Sequence, residues 1–266
     1  MVQSSLWGKT NYLAPYPCIA NKYITEYDIS KANINILLYY GVIDRQLYDM
    51  LYNMDKKHRE IYVGKMELRD SKITEIKAKG IKEFRHKFFE ANNLQDKDIL
   101  AIKNDAIFVI GNECMNTQFD NIVFNKSNVY TGYMKIGGLE AYYGYDPFTN
   151  NEVLDIKGIK EHKLELHREY MVFHLCEVFY KLQTSSVEDA VKLNSELLGY
   201  YLNRSLGKGY YREFNAESKF RFNTGFSSFT VDCISDEDVK YVDLSTNVNV
   251  FRNISGCLST LYLSHK

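Results

Sequence analysis

The period of the hydrophobic pattern changes several times along the chain. Tyr23-Ile24-Thr25-Glu26-Tyr27-Asp28-Ile29-Ser30 and Ile99-Leu100-Ala101-Ile102-Lys103-Asn104-Asp105-Ala106-Ile107-Phe108-Val109-Ile110 are rich in β-branched and aromatic residues. They predict strands buried on one or both faces, with Asn104-Asp105 as the tip of a tight hairpin. After Asp28 the period becomes helical. Ala32, Ile36, Leu37 and Tyr40 recur at helical spacing and stop at Gly41, a favourable C-terminal residue. Asp44 is placed to cap a second helix with Leu47, Met50, Leu51 and Met54 on one face, and a third follows from Asp55 to Leu68. Ser71 then opens a long amphipathic segment through Phe88 and Phe89 to Asn92.

Beyond Gly111 the chain reads as hairpins. Ile122 to Phe124, Val129 to Ile136, Leu139 to Tyr145 and Val153 to Ile156 alternate with Asn, Gly and Pro turns, Gly137-Gly138 being the strongest turn signal. The pattern changes again at Lys157-Gly158-Ile159. Leu164 to Leu182 reads as helix, and Ser185-Ser186-Val187-Glu188 is a capping box for another helix to about Arg204. From Tyr210 short strands return, and residues 1–22, with Gly8, Pro15 and Pro17, read as an irregular arm. The expected fold is α+β: a small palm-like sheet with helices on one face, a helical thumb-like module and a β-rich C-terminal tail. A boundary near 158–163 separates an α+β body (1–158), carrying short fingers-like helices at 44–92, from the module and tail (159–266).

Composition narrows the class. The 33 basic and 34 acidic residues nearly cancel, which argues against coating nucleic acid by bulk charge but leaves room for a local basic groove. The five cysteines are scattered without a C-x-x-C pair, pointing to a reducing compartment. No apolar run reaches the roughly 18–20 residues of a membrane span, and no basic-then-apolar leader opens the chain. A cytoplasmic protein with no membrane partner is expected. The 22 tyrosines suit half-wet sheet faces, where packing with a solvated hydroxyl is the ordinary role and stacking on bases the alternative.

If the two aspartate-bearing strands are neighbours, Asp28 and Asp105 meet. Two strand-borne carboxylates at one sheet edge suit a two-metal phosphoryl-transfer site, where cations about 3.5–4 Å apart need shared anionic oxygens. Each acid also has an ordinary reading: Asp28 as the N-cap of the following helix, Asp105 as a turn residue. Lys56-Lys57-His58-Arg59 is either a solvated helix start or a cation set for an anionic partner, since cations at a helix N-terminus oppose the macrodipole. The run Leu206 to Asn215, with Lys208, Tyr210, Tyr211 and Arg212, can grip a nucleic-acid strand or simply turn into an edge strand. Other chemistries lack their motifs. His162 and His167 do not align on one helix face, and no H-E-x-x-H, G-x-G-x-x-G, G-x-x-x-x-G-K-[ST] or G-x-S-x-G occurs.

In this order of elements the chain resembles a much reduced family B DNA polymerase of phage or mobile-element type. Asp28-Ile29-Ser30-Lys31-Ala32-Asn33 is similar to the first palm motif, an Asp followed by an S-L-Y-P-S-like run, with Asn33 at the aromatic position. Lys103-Asn104-Asp105-Ala106-Ile107-Phe108-Val109 resembles the D-T-D-S motif with its trailing I-F-V, keeping the second Asp and replacing the first by Lys103. Lys56 and Gly64 stand at the Lys-to-Gly spacing of the fingers motif, with Glu60 and Val63 at its Asn and Tyr positions, and Asp155-Ile156-Lys157-Gly158 resembles the lead from palm to thumb. The resemblance implies that Asp28 and Asp105 hold Mg²⁺ or Mn²⁺. It also implies that Lys56 and Arg59 neutralise a nucleoside triphosphate, that Asn33 faces its sugar, and that Lys157 and Arg212, with Lys126 and Lys135, meet a primer–template or single strand. The expected function is a minimal nucleotidyltransferase that adds nucleotides to a nucleic-acid 3′ end. Two alternatives stand beside it: an inactive palm relic serving as a phage nucleic-acid-binding or accessory protein, and a structural domain that uses its tyrosine-rich hairpins as a contact surface.

Overall fold

A computed structural model describes residues 4–111, 113–146, 148–149, 151–167, 172–213 and 219–264. The fold is α+β. Its main sheet has the order β1-β3-β4-β2-β6-β7-β8, with β5 paired to β6. The strands are β1 (Asn11–Leu13), β2 (Cys18–Ile29), β3 (Ile99–Lys103), β4 (Ala106–Ile110), β5 (Gln118–Phe119), β6 (Ile122–Ile136), β7 (Leu139–Asp146) and β8 (Asn151–Lys157). The described registers of β1–β3, β3–β4, β2–β4, β5–β6, β6–β7 and β7–β8 are antiparallel.

The chain forms two compact units. One comprises residues 1–15 and 23–129, the other 16–22 and 130–266. The division falls within β2 and β6, whereas the composition change at 158–163 lies inside the second unit.

In the first unit four helices follow β2: α1 (Ala32–Tyr39), α2 (Arg45–Tyr52), α3 (Lys56–Arg69) and α4 (Lys72–Ala91). Their starts are written locally. Asp44 accepts a hydrogen bond from the Leu47 amide (2.8 Å) and Asp55 from the His58 amide (3.1 Å), the expected N-cap geometry. Ser71 makes no cap bond with its side chain; Asp70 instead accepts from the Lys72 amide at 3.0 Å. Gly41 takes φ 67° just past α1, a conformation that suits a residue without Cβ. The core packs Phe84, Phe88 and Phe89 of α4 against Tyr27, Ile29, Ile102, Ile107 and Val109 of the sheet. Gly80 lets α4 approach α1: a Cβ there would stand 2.4 Å from Ile36 Cγ2.

The arm is more ordered than its sequence suggests. After a 3₁₀ turn at Leu6–Gly8, β1 pairs with β3 in the register Asn11↔Lys103, and β2 begins at Cys18 rather than at Tyr23. Pro15 and Pro17 mask this locally, because the partner strand lies about 90 residues away in the register Leu13↔Ala101.

The second unit adds α5 (Glu161–Leu166), α6 (His174–Thr184), α7 (Val187–Leu202), the hairpin β9 (Phe220–Asn223) with β10 (Ser228–Val231), and α8 (Ser245–Ser264). The helix expected over Leu164 to Leu182 is represented by α5 and α6; residues 168–171 between them lie outside the described residues. Ser186, not Ser185, caps α7, accepting from the Asp189 amide at 3.1 Å. The β-rich tail is corrected most: the short hairpin is followed by the 20-residue α8. Asn, Ser, Thr and Val dominate its start and disfavour helix locally. Burial of Val248, Phe251, Ile254 and Leu258 on one face overrides that preference. Four of the five β6–β7 tyrosines are core: Tyr130, Tyr133, Tyr142 and Tyr143 are fully buried, and Tyr143 stacks on Phe179 with its hydroxyl donating to Glu152 at 2.6 Å.

Candidate functional site

The β2–α1 junction is built by backbone accounting. The Ser30 amide donates to the Val123 carbonyl (2.9 Å), ending the pairing of β2, and the Ser30 carbonyl accepts from Asn35 Nδ2 (2.6 Å). Between them Lys31 turns the chain in a left-handed conformation, φ 43° and ψ 45°, which costs a non-glycine residue on the order of 1 kcal/mol or more. Its ammonium is tied down by the Tyr52 carbonyl at 3.0 Å and lies over the Tyr52 ring. Lys31, not Asp28, is the N-cap residue of α1. The Asp28 carboxylate is thus free of that ordinary duty.

Asp28 pairs across β2–β4 with Ala106, the residue after Asp105. Asn104 takes φ 59° at the hairpin tip, so Asp105 is a turn residue as expected, and it also faces the same hollow as Asp28. That hollow has a volume of about 460 Å³ and is lined by Asp28, Lys31, Asn33, Lys56, Arg59, Glu60, Asn104 and Asp105 together with Ile29, Ala32 and Ile81. Five of the nine residues to which the resemblance gives a role line it: Asp28, Asn33, Lys56, Arg59 and Asp105. They come from a strand end, the first turns of α1 and α3, and a hairpin tip. Arg59 is steadied by donating from Nη1 to the Met54 carbonyl at 3.1 Å.

The electrostatics are mixed. Asp28 is pushed up to about 6, first by burial, then by the nearby charges of Asp105 and Glu26, with Lys56 pulling the other way. A carboxylate crowded by like charges and partly stripped of water favours its proton, or a cation in the proton's place.

Lys157 and Arg212 belong to the second unit and do not line this hollow. Lys157 ends β8 with its ammonium 2.6 Å from Asp155. Arg212 follows a 3₁₀ turn at Lys208–Tyr211, lies 5.3 Å over the Phe220 ring, and accepts through its carbonyl from Asn247. Lys126 and Lys135 lie within β6, Lys126 paired with Glu113 at 3.1 Å. Of the run Leu206 to Asn215, residues 214 and 215 lie outside the described residues.

Two residues near the hollow escape motif reading. Glu26 is nearly buried, accepts from Asn128 Nδ2 at 2.8 Å, and shares a strand face with Asp28. Its signal is the two-residue spacing in Glu26-Tyr27-Asp28. Arg85 on α4 is 1% exposed and donates to the carbonyls of Trp7, Lys9 and Asn104. Its signal is a charge in the apolar stripe Ile81, Phe84, Phe88, Phe89. Lys103, at the position of the missing acid, sits at the end of β3 with its ammonium 5.5 Å over the Phe108 ring. Among the described residues no cluster of three or more His, Cys, Asp or Glu side chains forms a metal cage, and no helix is long and apolar enough to cross a membrane.

No curated protein matches the chain. A sequence model described as bacteriophage PBS1 gene 130 protein matches residues 1–259, and the chain belongs to that phage family.

Proposed function

We propose that the hollow between β2, α1, α3 and the β3–β4 turn is a nucleotidyltransferase site that adds nucleotides to a nucleic-acid 3′ end. The observation that carries this reading is the joint lining of one hollow by Asp28, Asp105, Lys56, Arg59 and Asn33, which come from four places in the fold up to 77 positions apart in the sequence. The family B motif resemblance adds to it.

The donor set fits Mg²⁺ or Mn²⁺. Magnesium is commonly held by one or two carboxylates together with substrate phosphates, keeping several waters, so a closed protein cage is not required. Asp28 and Asp105 would hold it; Asp28 is lifted first by burial and then by the charges of Asp105 and Glu26, and a cation would relieve that repulsion. When bound, divalent cations supply activation of the attacking 3′-hydroxyl and charge neutralisation at the departing pyrophosphate. Lys56 and Arg59 bind and orient the triphosphate, Lys56 as a compact charge and Arg59 as a planar fork. Asn33 stands at the sugar side and, being small and polar, excludes a ribose 2′-hydroxyl poorly. The partners under this reading are nucleoside triphosphates and a primer–template or single strand, and the working compartment is the cytoplasm of the host cell.

The test is Mg²⁺- and Mn²⁺-dependent extension of a labelled primer–template, with deoxy- and ribonucleotides offered separately and Asp105→Asn as control. Extension with both sugars that is lost in Asp105→Asn is the expected result. The lack, among the described residues, of a cluster of three or more acids, His or Cys that could hold a metal favours a second reading, an inactive relic that binds nucleic acid. Salt-sensitive binding without extension would select it, and absence of both would leave a structural role.

A further inference from the structure

The guanidinium of Arg85 is completely enclosed, yet its partners among the described residues are neutral. Nη1 donates to the carbonyls of Trp7 (3.0 Å) and Lys9, and Nη2 donates to the carbonyl of Asn104; among the described residues no carboxylate lies within ion-pair distance. Burial of a charge without a paired acid is costly and calls for a reason. Burial holds this guanidinium down to about 10, and the one charge that pulls it back is Asp105, the residue after Asn104. Its three acceptors belong to two segments. Trp7 and Lys9 lie in and just after the 3₁₀ turn of the arm, and Asn104 is the left-handed residue of the hairpin tip. The same two segments are joined again by the Asn104 amide donating to the Thr10 carbonyl at 2.9 Å and by the Asn11↔Lys103 pairing.

We propose that Arg85 is the positioning residue for Asp105: by drawing the carbonyls of Trp7, Lys9 and Asn104 onto one planar fork it fixes the turn that presents Asp105 to the hollow, and it makes the N-terminal arm part of the site. The consequence for chemistry rests on the nucleotidyltransferase reading; the clamp itself does not. Lysine is a poor replacement, because its single ammonium on a flexible stem lacks the two rigidly separated terminal nitrogens by which Arg85 bonds the arm and the turn at once.

The experiment pairs hydrogen exchange with kinetics on wild type and Arg85→Lys. In Arg85→Lys the amides of Asn104, Asp105 and Ala106 should exchange about tenfold faster or more, while interior amides of β2 hold their protection. Primer-extension kcat should fall about 10- to 100-fold with nucleotide KM changed little, as when a reacting group is misplaced while substrate binding is kept. Unchanged exchange at the turn overturns the proposal, and so does faster exchange with kcat intact, which would make Arg85 purely structural. If wild type extends no primer, the nucleotidyltransferase reading fails, and the exchange result alone decides whether Arg85 fixes Asp105. If Arg85→Lys does not fold, Arg85→Gln takes its place in the exchange measurement, and unchanged exchange at the turn would again overturn the clamp.

Discussion

Replacing Asp28 by Asn should make the protein more stable and, under the proposed nucleotidyltransferase reading, abolish extension. Asp28 is lifted from an ordinary 3.8 to about 6 by burial and by the charges of Asp105 and Glu26. Its ionised form is therefore less at home in the folded chain than in the unfolded one. Each pH unit of displacement corresponds to about 1.4 kcal/mol, so the lift is worth about 3 kcal/mol at most. Partial access to water reduces the expectation to about 1–2 kcal/mol. The sign follows from proton counting. Between about pH 4 and 6 the folded chain holds the Asp28 proton that the unfolded chain has released, so the wild type loses stability as pH rises through this window. Asparagine is nearly isosteric and carries no charge. Urea denaturation of wild type and Asp28→Asn from pH 3.5 to 8 should give curves that coincide below about pH 4 and diverge by about 1–2 kcal/mol above pH 6. A difference of constant size across this range, or a less stable Asp28→Asn at pH 8, would refute the argument that Asp28 is held in a hostile field. Gain of stability on removing a working group is the usual mark of a functional site.

Three further outcomes are expected. Under the proposed nucleotidyltransferase reading, Lys56→Ala should raise nucleotide KM about tenfold in steady-state extension with a smaller change in kcat, because the triphosphate would then be held less tightly. Gly80→Ala should destabilise the first unit by about 1–3 kcal/mol in chemical denaturation despite alanine's higher helix propensity, because its Cβ would meet the buried Ile36 Cγ2 at 2.4 Å. In the second unit His174 is buried, its Nε2 is 2.8 Å from Asn194 Oδ1, and Asn194 Nδ2 donates to the Phe251 carbonyl, so the proton sits on Nε2. Burial holds His174 down to about 4; the stability it contributes is complete above about pH 6.5 and is lost as pH falls through 4, so His174→Gln should flatten the denaturation profile across that window.

The parts of the site that could be read from sequence are those written locally. Asp44 and Asp55 announce helix starts because an N-cap side chain bonds within three residues of itself. Asp28 and Asp105 could be brought together in advance because their strands carry strong β patterns and a tight turn fixes register. What stayed hidden depends on distant partners. β1 is three residues long and exists through its pairing with β3, and α8 overcomes weak propensity through burial of Phe251, Ile254 and Leu258. Arg85 stood in plain view as a charge on an apolar stripe, but only the fold shows that the carbonyls it serves belong to the arm and the turn.

The interleaving of the two units also sets a timetable for folding. Residues 16–22 belong to the second unit but emerge among those of the first, and the Cys257 thiol donates to the carbonyl of Pro17 across 240 positions. At about 5–20 residues per second of synthesis, the early segment waits about 12–48 s for Cys257. The first unit has all of its residues once Val129 has been made, whereas the second closes one of the longest loops in the chain. Nascent chains halted soon after residue 129 should therefore already protect the Asp28 and Asp105 strands, with the second unit's share of β2 still waiting for its partners.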